Sequence, residues 1–158
     1  MAVRWLQFFT IVVCALALIP SGAHLAALPN KIDLPQGDYF IVQGIYQGWA
    51  ILGMLWPLAL LLNGALAYLL RRQRRAFRFA VLATLCYALM LAIFFLWTFP
   101  ANEATGNWSF APAEWEELRW QWEASHAVNT LLSLLALCSA TASALAWRPQ
   151  EMDPAEEA

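Results

Sequence analysis

An all-α bundle of four membrane-spanning helices is the fold this chain predicts, and three observations predict it. Hydrophobic residues make up 61% of the 158 positions and charged ones only 13%, with a mean hydropathy of +0.54, well outside an ordinary soluble domain. The charges are bunched, which leaves long stretches with almost none, and about 20 apolar residues suffice to cross a bilayer as helix. Between those stretches stand turn-formers or arginines, the punctuation expected between spans.

The first span runs over residues 5–28, with a kink expected at Pro20. Arg4, a short apolar run and small residues also fit a signal peptide, but the length through Leu28 favours a crossing helix. His24 then lies near its far end. From Pro29 to Asp38 the sequence PNKIDLPQGD is a polar loop, Lys31 included, and Asp38 is a plausible N-cap.

The second span, residues 39–70, carries no charge, and its first turns set Tyr39, Gln43, Tyr46 and Gln47 along one side. Gly44 and Gly48 form a small-x-x-x-small pair that serves an internal seam or a dimer equally well, so oligomeric state stays open. Pro57 and Asn63-Gly64 mark bends. Arg71-Arg72-Gln73-Arg74-Arg75 and Arg78 anchor a cytoplasmic loop. So small a basic patch, fixed to lipid, gives no footprint for nucleic acid.

A third span covers residues 77–99, and a loop carrying Asn102 and Trp108 follows Pro100. The fourth helix, residues 113–148, starts with Pro112 in its first turn and with Glu114, Glu116 and Glu117 at the positive end of its dipole. Trp115, Trp120 and Trp122 suit a lipid–water boundary. Residues 149–158 read as a disordered acidic tail outside the single transmembrane domain, residues 1–148.

Of the nine Lys and Arg residues, only Lys31 and Arg119 fall on the side opposite Arg4, the arginine loop and Arg148. Both termini are therefore expected on the cytoplasmic face of the inner membrane. The three cysteines, Cys14, Cys86 and Cys138, are isolated in apolar segments with no C-x-x-C spacing, which excludes disulfide-transfer chemistry.

At about 100° per residue, Arg119, Glu123, His126, Thr130, Ser133 and Thr141 share one face of the fourth helix, which after Ala127 is apolar on its other sides. Such a stripe should face the bundle interior. With roughly 1.5 Å per residue, His24 stands about 29 Å and His126 about 31 Å above the cytoplasmic helix ends, with Tyr46 and Gln47 near 35 Å. Four helices thus deliver His24, Tyr46, Gln47, Asn102, Arg119, Glu123 and His126 to the outer mouth.

Asn102, Trp108, Pro112 and the run Trp115-x-x-Leu118-Arg119-x-x-Trp122-Glu123-x-x-His126, leading into an apolar last helix, resemble the anthrone-oxygenase-like family of small four-helix membrane proteins. A looser likeness extends to Ala23-His24-Leu25, Leu28-Pro29-Asn30-Lys31 and Tyr46-Gln47-Gly48-Trp49. Asn129 stands where the family pattern has an arginine, so an anion contact from that position is not carried over. The resemblance implies oxidation of an anthrone-like, lipophilic aromatic by O₂ without an organic cofactor. His126 or His24 would take the acidic carbon's proton. Arg119 or Asn102 would steady the oxyanion, Glu123 would join the acid–base set, and Trp115, Trp122, Trp108, Tyr46 and Gln47 would hold the flat substrate.

Two other readings use the same atoms. Glu123-x-x-His126 with His24 makes a two-His, one-carboxylate set for a transition metal such as iron, although no metal is needed for the first reading. In the other, the cluster is structural or a docking surface in a non-catalytic accessory protein, or in one that binds lipid or quinone, with the bilayer and a small lipophilic molecule as its partners.

Overall fold

The computed structural model of the chain describes residues 1–149; the acidic tail expected at residues 149–158 lies, from Gln150 on, outside them. Among the described residues four helices are long and apolar enough to cross a membrane: Ala2–Lys31, Ala50–Leu70, Arg74–Ala104 and Trp115–Ala146. The all-α, four-span bundle read from the sequence is the fold observed, and no strand occurs among the described residues.

Helix α1 (Ala2–Lys31) runs through both Pro20 and Pro29 instead of stopping at Leu28. Pro29 removes only its own N–H, and the last turn closes past it through a bond from Ile32 N–H to the Leu28 carbonyl at 3.0 Å. Lys31 therefore rides on the helix, not in the loop.

The second span is not one rod from residue 39 to 70. Helix α2 (Gln36–Gln43) tightens into a 3₁₀ turn over Gly44–Tyr46, the chain bends, and helices α3 (Ala50–Gly53) and α4 (Leu55–Leu70) follow. The bend needs Gly48, whose φ of 85° lies where a side chain costs energy. A Cβ at Gly44 or Gly48 would meet nothing within 4 Å, so the pair is no packing seam inside this chain.

The third span continues past Phe99. Helix α5 (Arg74–Ile93) widens into a π turn at Phe94–Thr98, closed by Phe99 N–H on the Phe94 carbonyl, and α6 (Phe99–Ala104) carries on. A π turn lets the helix pass Pro100, which has no N–H to give. Gln121 Nε2 donates to the Trp97 carbonyl at 2.8 Å. Helix α7 (Trp115–Ala146) starts two residues later than expected from 113, and ends where Trp147 turns extended with ψ 140°.

Cys14, Ala17, Ala59, Ala80, Ala83, Ala136 and Ala140 lie buried between the helices, and small residues there let backbones approach closely. Leu16, Ile19, Leu61, Leu85, Leu89, Phe95, Leu131 and Leu134 are exposed on the outside, as a lipid-facing surface requires. Arg4 lies over the Trp147 ring at 5.5 Å, and Gln73 exchanges hydrogen bonds of 2.8 and 2.9 Å with the Arg148 backbone. These contacts gather the chain start, the arginine loop and the end of α7 at one end of the bundle.

Candidate functional site

The other end of α7 carries the polar stripe. Arg119, Glu123, His126, Thr130 and Ser133 are all buried, whereas Thr141 is only half-buried and turns its hydroxyl back to the Leu137 carbonyl at 2.9 Å. The stripe drifts off the interior because an α-helix does not repeat every seven residues.

Glu123 meets Lys31 at the centre. Lys31 Nζ stands 2.9 Å from Glu123 Oε1, with side chains 2% and 1% exposed. The same oxygen accepts the Tyr39 hydroxyl at 2.8 Å, and Tyr39 in turn accepts from Gln43 Nε2 at 2.8 Å. Lys31 also donates to the Tyr46 hydroxyl at 3.1 Å and lies 4.6 and 4.8 Å from the Tyr46 and Trp122 ring centres. Taking two charges out of water costs several kcal/mol per ion. Added hydrogen bonds and the aromatic faces offset that cost. Burial and then the Glu123 carboxylate hold the Tyr39 phenol above its ordinary range and push that of Tyr46 up to about 12. Both therefore act as neutral hydroxyls near pH 7.

Against this ion pair lie the two histidines. The His24 and His126 rings stack with centroids 4.1 Å apart and planes 27° from parallel. This is the common depth that helix rise predicts. Trp122 closes on both, 4.1 Å from His126 and 4.9 Å from His24, while Tyr46 and Trp49 cover His24 at 4.2 and 5.7 Å. Nδ1 of each ring is buried with no hydrogen-bond partner among the described residues. Beneath them Thr130 Oγ1 contacts the Ser21 carbonyl at 2.6 Å and so ties α7 to α1.

Arg119 and Asn102 act as fasteners. Arg119 Nη1 donates to the Leu34 carbonyl at 2.9 Å while its guanidinium lies 4.6 Å from the Trp115 ring centre, which pins the loop between α1 and α2 to α7. Asn102 Oδ1 accepts two indole N–H groups, from Trp122 at 2.9 Å and Trp108 at 3.2 Å.

Trp108 arrives there on a strained backbone. Gly106, Asn107 and Trp108 have φ of 54°, 55° and 65°, three consecutive residues in the left-handed region, where a residue with a side chain costs roughly 1–2 kcal/mol. Asn107 N–H to the Asn102 carbonyl at 2.7 Å and Trp108 N–H to Thr105 Oγ1 at 3.1 Å hold the turn.

Of the residues singled out in the sequence, His24, Tyr46, Asn102, Trp108, Trp115, Arg119, Trp122, Glu123 and His126 form one continuous cluster. Gln47 does not join it, because the bend at Gly48 leaves it exposed. Lys31, Tyr39, Gln43 and Trp49 complete the cluster. A signal for Lys31 was present: it is the chain's only lysine, seven residues after His24, hence on the same helix face once α1 is allowed to pass Pro29.

His24, Glu123 and His126 are not arranged as a metal-binding set, and no group of three or more His, Cys, Asp or Glu among the described residues is. Glu123 Oε1 is taken by Lys31 and Tyr39, and the imidazoles face each other ring to ring, whereas a shared ion needs their in-plane nitrogen lone pairs to converge. Two open surface hollows, of about 390 and 380 Å³, lie at the arginine end and touch none of these residues. Comparison with protein-family models, with characterised proteins and with solved structures returns no match to this chain.

Proposed function

We propose that this chain is a multi-pass protein of the inner (cytoplasmic) membrane, termini inside, whose histidine cluster is the active site of a cofactor-independent oxygenase for a flat, lipophilic, anthrone-like phenol. The observation that carries the reading is the stacked His24–His126 pair, each Nδ1 without a partner, set between aromatic rings and a buried Lys31–Glu123 ion pair. Idle polarity of this kind is expensive in a membrane. The excess of arginine at the end holding both termini supports the orientation.

The chemistry follows from these groups. A phenolic anthrone has an acidic ring CH₂, and one imidazole takes its proton. The resulting enolate places its charge on oxygen, where the Lys31 ammonium steadies it more effectively than it would in water. The electrons pass to O₂ and a C–O bond forms, giving a peroxide. Loss of the second ring hydrogen with cleavage of O–O then releases water, so that CH₂ and O₂ become C=O and H₂O. Glu123 fixes Lys31, and Arg119 and Asn102 hold the walls. Trp122, Trp108 and Trp115 supply aromatic surface. Tyr46 and Trp49, carried on the irregular stretch between α2 and α3, are the covers whose displacement uncovers His24.

One observation favours a second reading, a non-catalytic accessory or quinone- or lipid-binding bundle: the ion pair's hydrogen bonds are made internally and the cluster is packed shut. Oxygen uptake by purified protein supplied with an anthrone separates the two. The oxygenase reading expects uptake by the wild type that falls by about 10²–10⁴-fold in His126→Ala and in His24→Phe. Absence of uptake in the wild type leaves the binding reading.

A further inference from the structure

A second set of polar groups, below the histidines, takes no part in the proposed reaction. Cys14 of α1, Asn63 of α4, Tyr87 of α5 and Ser133 of α7 are each completely buried, one from each spanning helix. Asn63 Nδ2 reaches Cys14 Sγ at 3.4 Å and the Ala59 carbonyl at 2.8 Å. Tyr87 lies beside Cys14, Cys86 and Ser133. Yet the Tyr87 hydroxyl, Ser133 Oγ and Asn63 Oδ1, from three neighbouring helices, make no hydrogen bond of good geometry among the described residues, although Tyr87 stands close to Cys14 and Ser133. Natural interiors rarely leave three such atoms idle in one place.

The inventory matches one ligand. Two hydroxyls can donate and the amide oxygen can only accept. A water molecule accepts two hydrogen bonds and donates two, so it can take both hydroxyl protons and give one of its own to Asn63 Oδ1. An apolar guest would leave all three unpaired, and an anion would be repelled by the amide oxygen.

The set also connects upward. Asn129, one turn above Ser133 on α7, is completely buried and leaves Oδ1 unpartnered, and His126 Nδ1 stands one turn higher still. Seven residues of helix separate His126 from Ser133, about 10 Å of rise, a span of two or three waters. Toward the arginine end Thr10 Oγ1 donates to the Leu6 carbonyl at 2.7 Å and Ser143 Oγ to the Ala76 carbonyl at 2.8 Å, and Gln7 Nε2 is buried without a partner among the described residues.

We propose that the bundle holds ordered water at a Tyr87–Ser133–Asn63 site near the middle of the membrane, joined by Asn129 to the histidine pair. The site exists whatever reaction the histidines perform.

The sign of a stability change tests it. If the site is dry, Tyr87→Phe and Ser133→Ala each remove an unpaired hydroxyl, and unfolding temperature holds or rises. If water bridges the three groups, each substitution strands the others, and unfolding temperature falls by roughly 2–4 °C or more. Infrared difference spectra of the full chain in nanodiscs, between H₂¹⁶O and H₂¹⁸O, supply the second measurement. An isotope-shifted O–H stretch of bound water in the wild type that is lost in Ser133→Ala supports the site. No such band in the wild type, or a raised unfolding temperature in Ser133→Ala, overturns it. Ser133→Ala removes one oxygen from a helix face and keeps the test decisive should Tyr87→Phe not fold.

Discussion

Lys31 Nζ and Glu123 Oε1 meet at 2.9 Å, with both side chains almost wholly shut away from solvent, at the point where the first helix ends and the last one enters the membrane. Glu123 has a second cation near it, Arg119, whose guanidinium is held by the Leu34 carbonyl and Trp115. The pair therefore locks α1 to α7 and fixes the wall against which the histidines stack.

Breaking that pair one side at a time should be far worse than removing it whole. Lys31→Met or Glu123→Gln alone leaves a buried charge without its partner and should cost about 3–5 kcal/mol. The double substitution should recover most of that loss. Denaturation of the four proteins in one detergent measures the coupling; additive losses would show that the two groups do not depend on one another.

Asn102→Ala should unmoor two tryptophans together. Both indole N–H groups share Asn102 Oδ1, and each left dry costs about 1–3 kcal/mol. Asn102→Asp keeps an acceptor and should restore most of the stability. Tryptophan emission and melting temperature, followed in both variants, check this.

Gly106→Ala should loosen the turn that presents Trp108. An added Cβ would stand 2.8 Å from Ser109 Oγ and 2.9 Å from Phe110 Cε1, on a backbone with φ of +54°. The backbone alone costs roughly 1–2 kcal/mol. Gly44→Ala, which meets nothing within 4 Å, is the control and should be near neutral. Proteolysis of the loop in the two variants distinguishes them.

The proposed orientation rests on the arginines and is open to direct test. A membrane-impermeant thiol reagent added outside intact cells should label Ala113→Cys and spare Arg72→Cys, both exposed positions at opposite ends. Cys14 and Cys86 are buried, and Cys138 lies exposed on the spanning part of α7, so the native thiols stay silent to a reagent confined to water. Labelling of Arg72→Cys from outside would reverse the topology.

What the sequence determined by itself was whatever a regular helix can carry over distance. Long uncharged stretches set the four spans, because a bilayer leaves the backbone little alternative. Equal rise placed His24 beside His126, and period set Arg119, Glu123, His126, Thr130 and Ser133 inward. Tertiary structure decided what depends on irregular backbone. Whether Pro29 ends α1 or is absorbed by it turns Lys31 from a loop residue into the partner of Glu123. The left-handed Gly48 removes Gln47 from the cluster while Tyr46 stays, and the left-handed turn at Gly106–Trp108 brings Trp108 onto Asn102. At each of these places local preference is nearly balanced, so contacts between distant helices tip the outcome, and those contacts cannot be read until the chain has folded.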